Sequence, residues 1–161
     1  MNVKIVDGYD YPEEVRALFS EYTDMLIAND AEFKKYLAVQ NYDEEIAHLK
    51  SKYGFPEGRL YVLFADGKSA GCIGLRKIYS QTCEMKRLYI RSAWRGKKKL
   101  GETLVEKIIA EAREIGYSYM VLDTLPFLQN AIRLYKKFGF YEIESYNDSP
   151  LDTSIYMKLD L

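Results

Sequence analysis

Apolar positions along the 161-residue chain change period several times, and each change marks an element. Alternation over residues 3–7 predicts an opening strand. Pro12, followed by Glu13 and Glu14, reads as a helix start. Val15, Leu18, Phe19, Tyr22, Met25 and Leu26 then recur at a spacing of three and four, predicting one buried helical face that runs to about Ala28. Residues 29–58 are less regular: a short helix is predicted over 43–52, with turns at Gly54-Phe55-Pro56 and Glu57-Gly58. The apolar runs 60–65 and 70–77 flank Asp66-Gly67-Lys68, a hairpin turn, and a second turn near 79–81 leads into 82–90, so three strands form a meander. Leu100, Leu104, Val105, Ile108, Ile109, Ala112 and Ile115 line one side of a helix closed by Gly116. A strand over 117–123 follows. Strand, helix and strand in that order require a parallel crossover, which makes the sheet mixed. After Pro126 comes a helix over 128–138, turning Ala131, Leu134 and Phe138 inward and stopped by Gly139; strands over 140–145 and 154–159 pair antiparallel. The predicted class is α/β with a mixed sheet of about seven strands and about four helices, forming a single domain over 1–161.

Composition narrows the function classes. With 48% hydrophobic and 29% charged residues, the chain can bury a sizeable core. No apolar run approaches the ~18 residues of a membrane span and no signal segment opens the chain, so a soluble, cytoplasmic protein without a membrane partner is expected. Cys72 and Cys83 lie in strand-like apolar segments and read as buried reduced thiols, and no metal-ligand spacing occurs. A net charge of −1 and a pI near 5.9 argue against a nucleic-acid partner, which needs a wide basic face. His48, the only histidine, reads as an exposed helix residue rather than a catalytic base.

The charge is unevenly placed. Between Met85 and Gly101 stand seven cations (Lys86, Arg87, Arg91, Arg95, Lys97, Lys98 and Lys99) and no acid, against 16 basic and 24 acidic residues elsewhere. A solvated basic loop is the plainer reading. The context adds to it: Gly96 and Gly101 flank the lysines and a helical stripe begins at Leu100, so free N–H groups, the helix dipole and side-chain charge coincide where a phosphate ligand would sit. Neither the dinucleotide fingerprint G-x-G-x-x-G nor the phosphate-loop pattern G-x-x-x-x-G-K-[ST] is present.

These residues resemble the GCN5-related N-acetyltransferase (GNAT) family, whose coenzyme A signature is Gln/Arg-x-x-Gly-x-Gly/Ala between a strand and a helix. Reading from Arg95, the pattern asks for glycine at 98 and 100, whereas this chain has Lys98 and Leu100 and its second glycine at 101, one residue further on. QNAIRLYKKFGF at 129–140 is similar to the family's other informative motif, in the usual order. The resemblance is strong over 60–160 and covers the first third by layout only. It implies the family's fold and acetyl-CoA as cosubstrate, with no metal. It also implies direct acetyl transfer in a ternary complex to a primary amine of a small molecule or peptide; a homodimer is an open alternative to a monomer.

By the same resemblance the pyrophosphate lies at residues 95–101: Arg95, Gly96, Lys97, Lys98, Lys99, Leu100 and Gly101. The strand before this loop splays from its neighbour, exposing the backbone of Leu88, Tyr89 and Ile90 to the thioester and pantetheine. Asn130 matches the family asparagine that contacts the coenzyme, Tyr135 the tyrosine that protonates the departing thiolate, and Glu84 the glutamate that takes the amine's proton. A phenol with a pKa of about 10 can donate to a thiolate of about 8.5. A solvent-facing Glu84, a core Tyr135 and a helix-end Asn130 are the plainer alternatives. As a different class of function, a sensor that binds acyl-coenzyme A without turnover fits the irregular loop at Lys98 and Leu100.

Overall fold

Strand β1 (Val3–Asp7) is followed by four helices, α1 (Pro12–Asn29), α2 (Phe33–Val39), α3 (Tyr42–Ala47) and α4 (Leu49–Tyr53), in the computed structural model, which describes residues 1–161. The meander β2 (Arg59–Ala65), β3 (Lys68–Tyr79) and β4 (Thr82–Ile90) comes next. Then follow α5 (Leu100–Ile115), β5 (Tyr119–Thr124), α6 (Gln129–Lys137), β6 (Tyr141–Ile143) and β7 (Ile155–Asp160). The seven strands form one open sheet in the order β1-β2-β3-β4-β5-β7-β6, antiparallel except for the β4/β5 pair.

Local chemistry explains the boundaries. The β2/β3 hairpin turns on Asp66 and Gly67, both at positive φ (49° and 79°), the two-residue geometry that matches strand twist. Helix α5 ends where Gly116 takes φ 107° and the Tyr117 amide returns to the Ala112 carbonyl at 3.1 Å. That cap consumes Tyr117, so β5 opens at Tyr119 rather than 117. One face of the sheet packs on α5, with Leu104, Val105, Ile108 and Ala112 against Ile73, Leu75, Met85 and Met120. On the other face α1 places Val15, Leu18 and Phe19 on Tyr53, Leu60, Val62 and Cys72. Cys72 and Cys83 are buried free thiols, their pKa values raised by desolvation.

Three expectations are corrected. The helices number six, because α2 was not anticipated and the single helix predicted over 43–52 is two, broken at His48 (φ −135°, ψ 67°). Neither α3 nor α4 is long enough to be stable alone, so packing decides them. Phe33, Tyr36 and Leu37 of α2 join Leu26, Leu125 and Leu151 in a small third cluster. Strand β6 stops at Ile143 instead of 145. The chain beyond it leaves the sheet edge and brings Tyr146 and Asn147 beneath the central strands.

Candidate active site

The site begins with a fault in β4. Register with β3 runs Gly71↔Ile90 and Cys72↔Tyr89, then resumes at Gly74↔Lys86, so two residues of β4 oppose one of β3; Arg87 takes φ 61° there. The bulge re-aims the side chains: Lys86 and Arg87 both turn toward the α1–α4 side, and Leu88 and Ile90 pack with the α5 side. The parallel ladder to β5 ends at Glu84↔Val121. Beyond that pair the strands part.

At the gap, walled by α5 and α6 and by Tyr22, Met25 and Asn29 of α1, lies an open cleft of about 590 Å3. Leu88, Tyr89, Ile90, Arg95, Gly96, Lys99, Leu100, Gly101, Asn130 and Tyr135, ten of the residues singled out in the sequence, all line it. Lys97 and Lys98 do not line it: both are exposed, and Lys97 Nζ rests 5.5 Å above the Trp94 ring. The loop takes left-handed backbone at Gly96 (φ 76°), Lys98 (46°) and Lys99 (51°), which means that the conformation served elsewhere by glycine is carried here by two lysines. No side chain caps α5, and its first helical bond is the Thr103 amide to the Lys99 carbonyl at 3.0 Å. The amides of Leu100, Gly101 and Glu102 therefore have no helical acceptor on the wall of the cleft. A methyl group on Gly101 would come no closer than 3.7 Å to Leu134, so bare backbone there answers to the cleft, not to the core. Arg95 is drawn back onto β4, donating from Nε to the Ile90 carbonyl at 2.8 Å.

Tyr135 sits at a junction. It lines the cleft and also a compartment of about 40 Å3 on the other side of the gap, together with Tyr22, Leu88 and Leu128. Burial, followed by the neighbouring Tyr22 and the Asp123 carboxylate, raises its pKa, and no hydrogen bond contributes; the group is a protonated phenol at neutral pH. The small compartment's polar wall includes Gln40, Lys86, Arg87 and Thr124, and its one carboxylate is Asp123, near the end of β5. Its carboxylate accepts from the Tyr36 hydroxyl and from Asn147 Nδ2 at 3.0 Å, and Asn147 Oδ1 accepts from Tyr156 at 3.0 Å. Sequence reading missed Asp123 and Tyr36. A polar residue closing an apolar strand beside a parallel crossover was the available signal, since ligands gather at such strand ends.

Glu84 lies elsewhere. It lines a third, polar cavity of about 500 Å3, which meets the small compartment at Tyr36, Gln40 and Lys86. Only 1% exposed, it accepts from Arg76 Nε at 2.7 Å and from Tyr146, with Lys86 Nζ 3.8 Å away. Desolvation works against its charge, but Lys86 and Arg76 outweigh it and hold the pKa below the usual carboxylate range. His48 stands exposed at this cavity's edge beside Glu44, outside the cleft.

A family model for the GNAT acetyltransferases matches residues 16–140. The chain belongs to the GNAT acetyltransferase family. An uncharacterized N-acetyltransferase of Schizosaccharomyces pombe is 44% identical over 132 residues, 81% of this chain and 80% of that protein. Among solved structures, an acetyltransferase of Streptococcus agalactiae shares the fold at a TM-score of 0.75 and 21% identity over 99% of this chain and 98% of that one. The PaiA N-acetyltransferase of Thermoplasma acidophilum, solved in complex with coenzyme A, matches at 0.74 and 20% identity over the full length of both. No helix of this GNAT chain is long and apolar enough to cross a membrane.

Proposed function

We propose that this GNAT protein transfers the acetyl group of acetyl-CoA to a primary amine of a small molecule or peptide by direct attack in a ternary complex. The observation that carries the reading is the Tyr135 phenol at the junction of a coenzyme-sized cleft and a small compartment. Coenzyme enters by the α5 side, its pyrophosphate on the amides at the start of α5 and its pantetheine along Leu88 to Ile90. The amine arrives from the opposite side, through the small compartment. Its nitrogen attacks the thioester carbon, the carbon–sulfur bond breaks, and Tyr135 supplies the proton taken by the thiolate. The nitrogen's own proton needs an acceptor, and Asp123 is the carboxylate on the compartment wall; Glu84 reaches that space only through Lys86 or intervening solvent.

Tyr135→Phe tests the reading, because it deletes the donor and keeps the ring. Coenzyme affinity and thermal stability should hold while turnover falls about 10²- to 10⁴-fold. Normal turnover in the folded variant would remove Tyr135 from the mechanism, and absence of turnover in the parent protein with every amine tried would favour a binding module.

A further inference from the structure

Two parts of the chain that share no local pattern, α2 and the loop between β6 and β7, meet over Asp123. Asn147 of that loop spends both amide hydrogens there: one goes to Asp123 Oδ2 at 3.0 Å and one to the Tyr36 oxygen at 2.9 Å, while the Tyr36 hydroxyl donates to the same Oδ2. Burial, then the Asp123 charge, raises the Tyr36 pKa, so that hydroxyl remains a donor at neutral pH. Chemistry fixes which end of Asn147 faces the carboxylate. Its Oδ1 accepts from the Tyr156 hydroxyl at 3.0 Å and from the Ser149 amide at 3.1 Å, and a main-chain amide can only donate, so Nδ2 is committed to Asp123. The loop has its own anchor: Leu151 is buried with Leu26, Phe33 and Leu125, and its amide donates to Ser149 Oγ at 3.2 Å.

Asp123 is therefore held by one oxygen only. Its Oδ1 accepts no hydrogen bond, and it is not sealed in the interior either, because the one buried side-chain oxygen or nitrogen without a partner is the Tyr42 hydroxyl. Asp123 lines the small compartment, whose wall Tyr135 shares. A carboxylate near a strand end turns about its side-chain bonds, and a proton acceptor is effective only when its free oxygen is aimed at the reacting nitrogen. We propose that Asn147 is a positioning residue for acetyl transfer: with Tyr36 it grips Asp123 Oδ2 and turns Oδ1 toward the acceptor nitrogen. The proton leaving that nitrogen passes to Oδ1 as the carbon–nitrogen bond forms, the carbon–sulfur bond breaks and the thiolate takes the Tyr135 proton; exchange with solvent then restores both groups. The assignment rests on the proposed reaction with Asp123 as its proton acceptor.

Asn147→Leu removes the donor at similar volume. Because Asn147 does not line the coenzyme cleft, KM for acetyl-CoA and coenzyme affinity should hold while kcat falls about 10- to 100-fold, the scale of a misplaced reacting group. In an Asp123→Ala background the same substitution should cost less than about twofold, since nothing is left to position. Turnover within about twofold of the parent overturns the proposal and leaves acetyl transfer standing, and so does a loss of equal size in both backgrounds. Parent-like turnover in Asp123→Ala removes the proton acceptor and the proposal with it, though not Tyr135. If no amine turns over, or Asp123→Ala is too slow to follow, crystal structures of the parent and Asn147→Leu decide: a carboxylate swung out of the compartment sustains the grip, and an unmoved one overturns it. Should Asn147→Leu fail to fold, Tyr36→Phe, which removes the other donor and keeps the ring, is read by the same outcomes.

Discussion

Five residues of one basic run, Arg95 to Lys99, and two others of the same run, Lys86 and Arg87, meet opposite fates. Four of the five are cations, all exposed, and they flank a backbone that turns left-handed to present free amides. Lys86 and Arg87 are 7% and 5% exposed and enclosed by Glu45, Gln40 and Glu84. Read along the chain, all seven cations from Lys86 to Lys99 formed a single phosphate-binding device; folded, Arg95 and Lys99 line the cleft and Lys86 and Arg87 the small compartment, while Lys97 and Lys98 point to solvent and Arg91 is tied to Glu21 and Ser69. Equal charge has unequal consequences because solvent screens the loop, whereas the interior leaves each buried cation dependent on its partners.

The contrast is sharpest at Arg87. Arg87→Met should lower stability by about 3 kcal/mol in denaturant titrations, the low end for breaking a buried pair, because Lys52 and Tyr53 still reach Glu45. Loss below about 0.5 kcal/mol would show that the buried cluster is as screened as the loop.

Acid tests the same cluster from its other partner. Glu45 has its pKa held down at about 2, against an ordinary 4.5: burial opposes its charge, and Arg87 and Lys52 more than compensate. Because the folded-state pKa is the lower one, this stabilisation is fully present above about pH 4.5 and is lost as pH falls toward 2. Glu45→Gln should therefore lose less stability than the parent over that window. Parallel pH curves for the two proteins would discount the pairing.

Lys97, Lys98 and Lys99 replaced together by alanine should change stability by no more than about 0.5 kcal/mol, as for exposed sites, while coenzyme affinity weakens and its salt dependence flattens. Unchanged affinity in calorimetry would move the pyrophosphate away from this loop. The smallest effect belongs to Lys98→Gly. A left-handed L-residue carries a penalty of about 1–2 kcal/mol, partly offset by glycine's greater unfolded-state freedom, so a gain of up to about 1 kcal/mol is expected. A fall in melting temperature would mean that the lysine side chain contributes more than its backbone costs.

Sequence alone determined the order of the elements and most of the residues that line the cleft beside α5. Strand β4 spans the predicted 82–90 and α5 the predicted stripe to Ile115, because local periodicity, a hairpin turn and a glycine cap act over a few residues and are written consecutively. That cleft is legible for the same reason: strand end, loop and helix start are one continuous segment. Tertiary structure decided the small compartment and the polar cavity beside it. Asp123, Tyr36, Gln40, Lys86 and Asn147 come from five separate elements or loops, and nothing in their spacing announces that they meet. It also decided that Glu84 would be locked between Arg76 and Tyr146 and not open to the gap, because side-chain direction in β4 depends on the bulge at Arg87, a register shift set by pairing with β3 that no local pattern specifies.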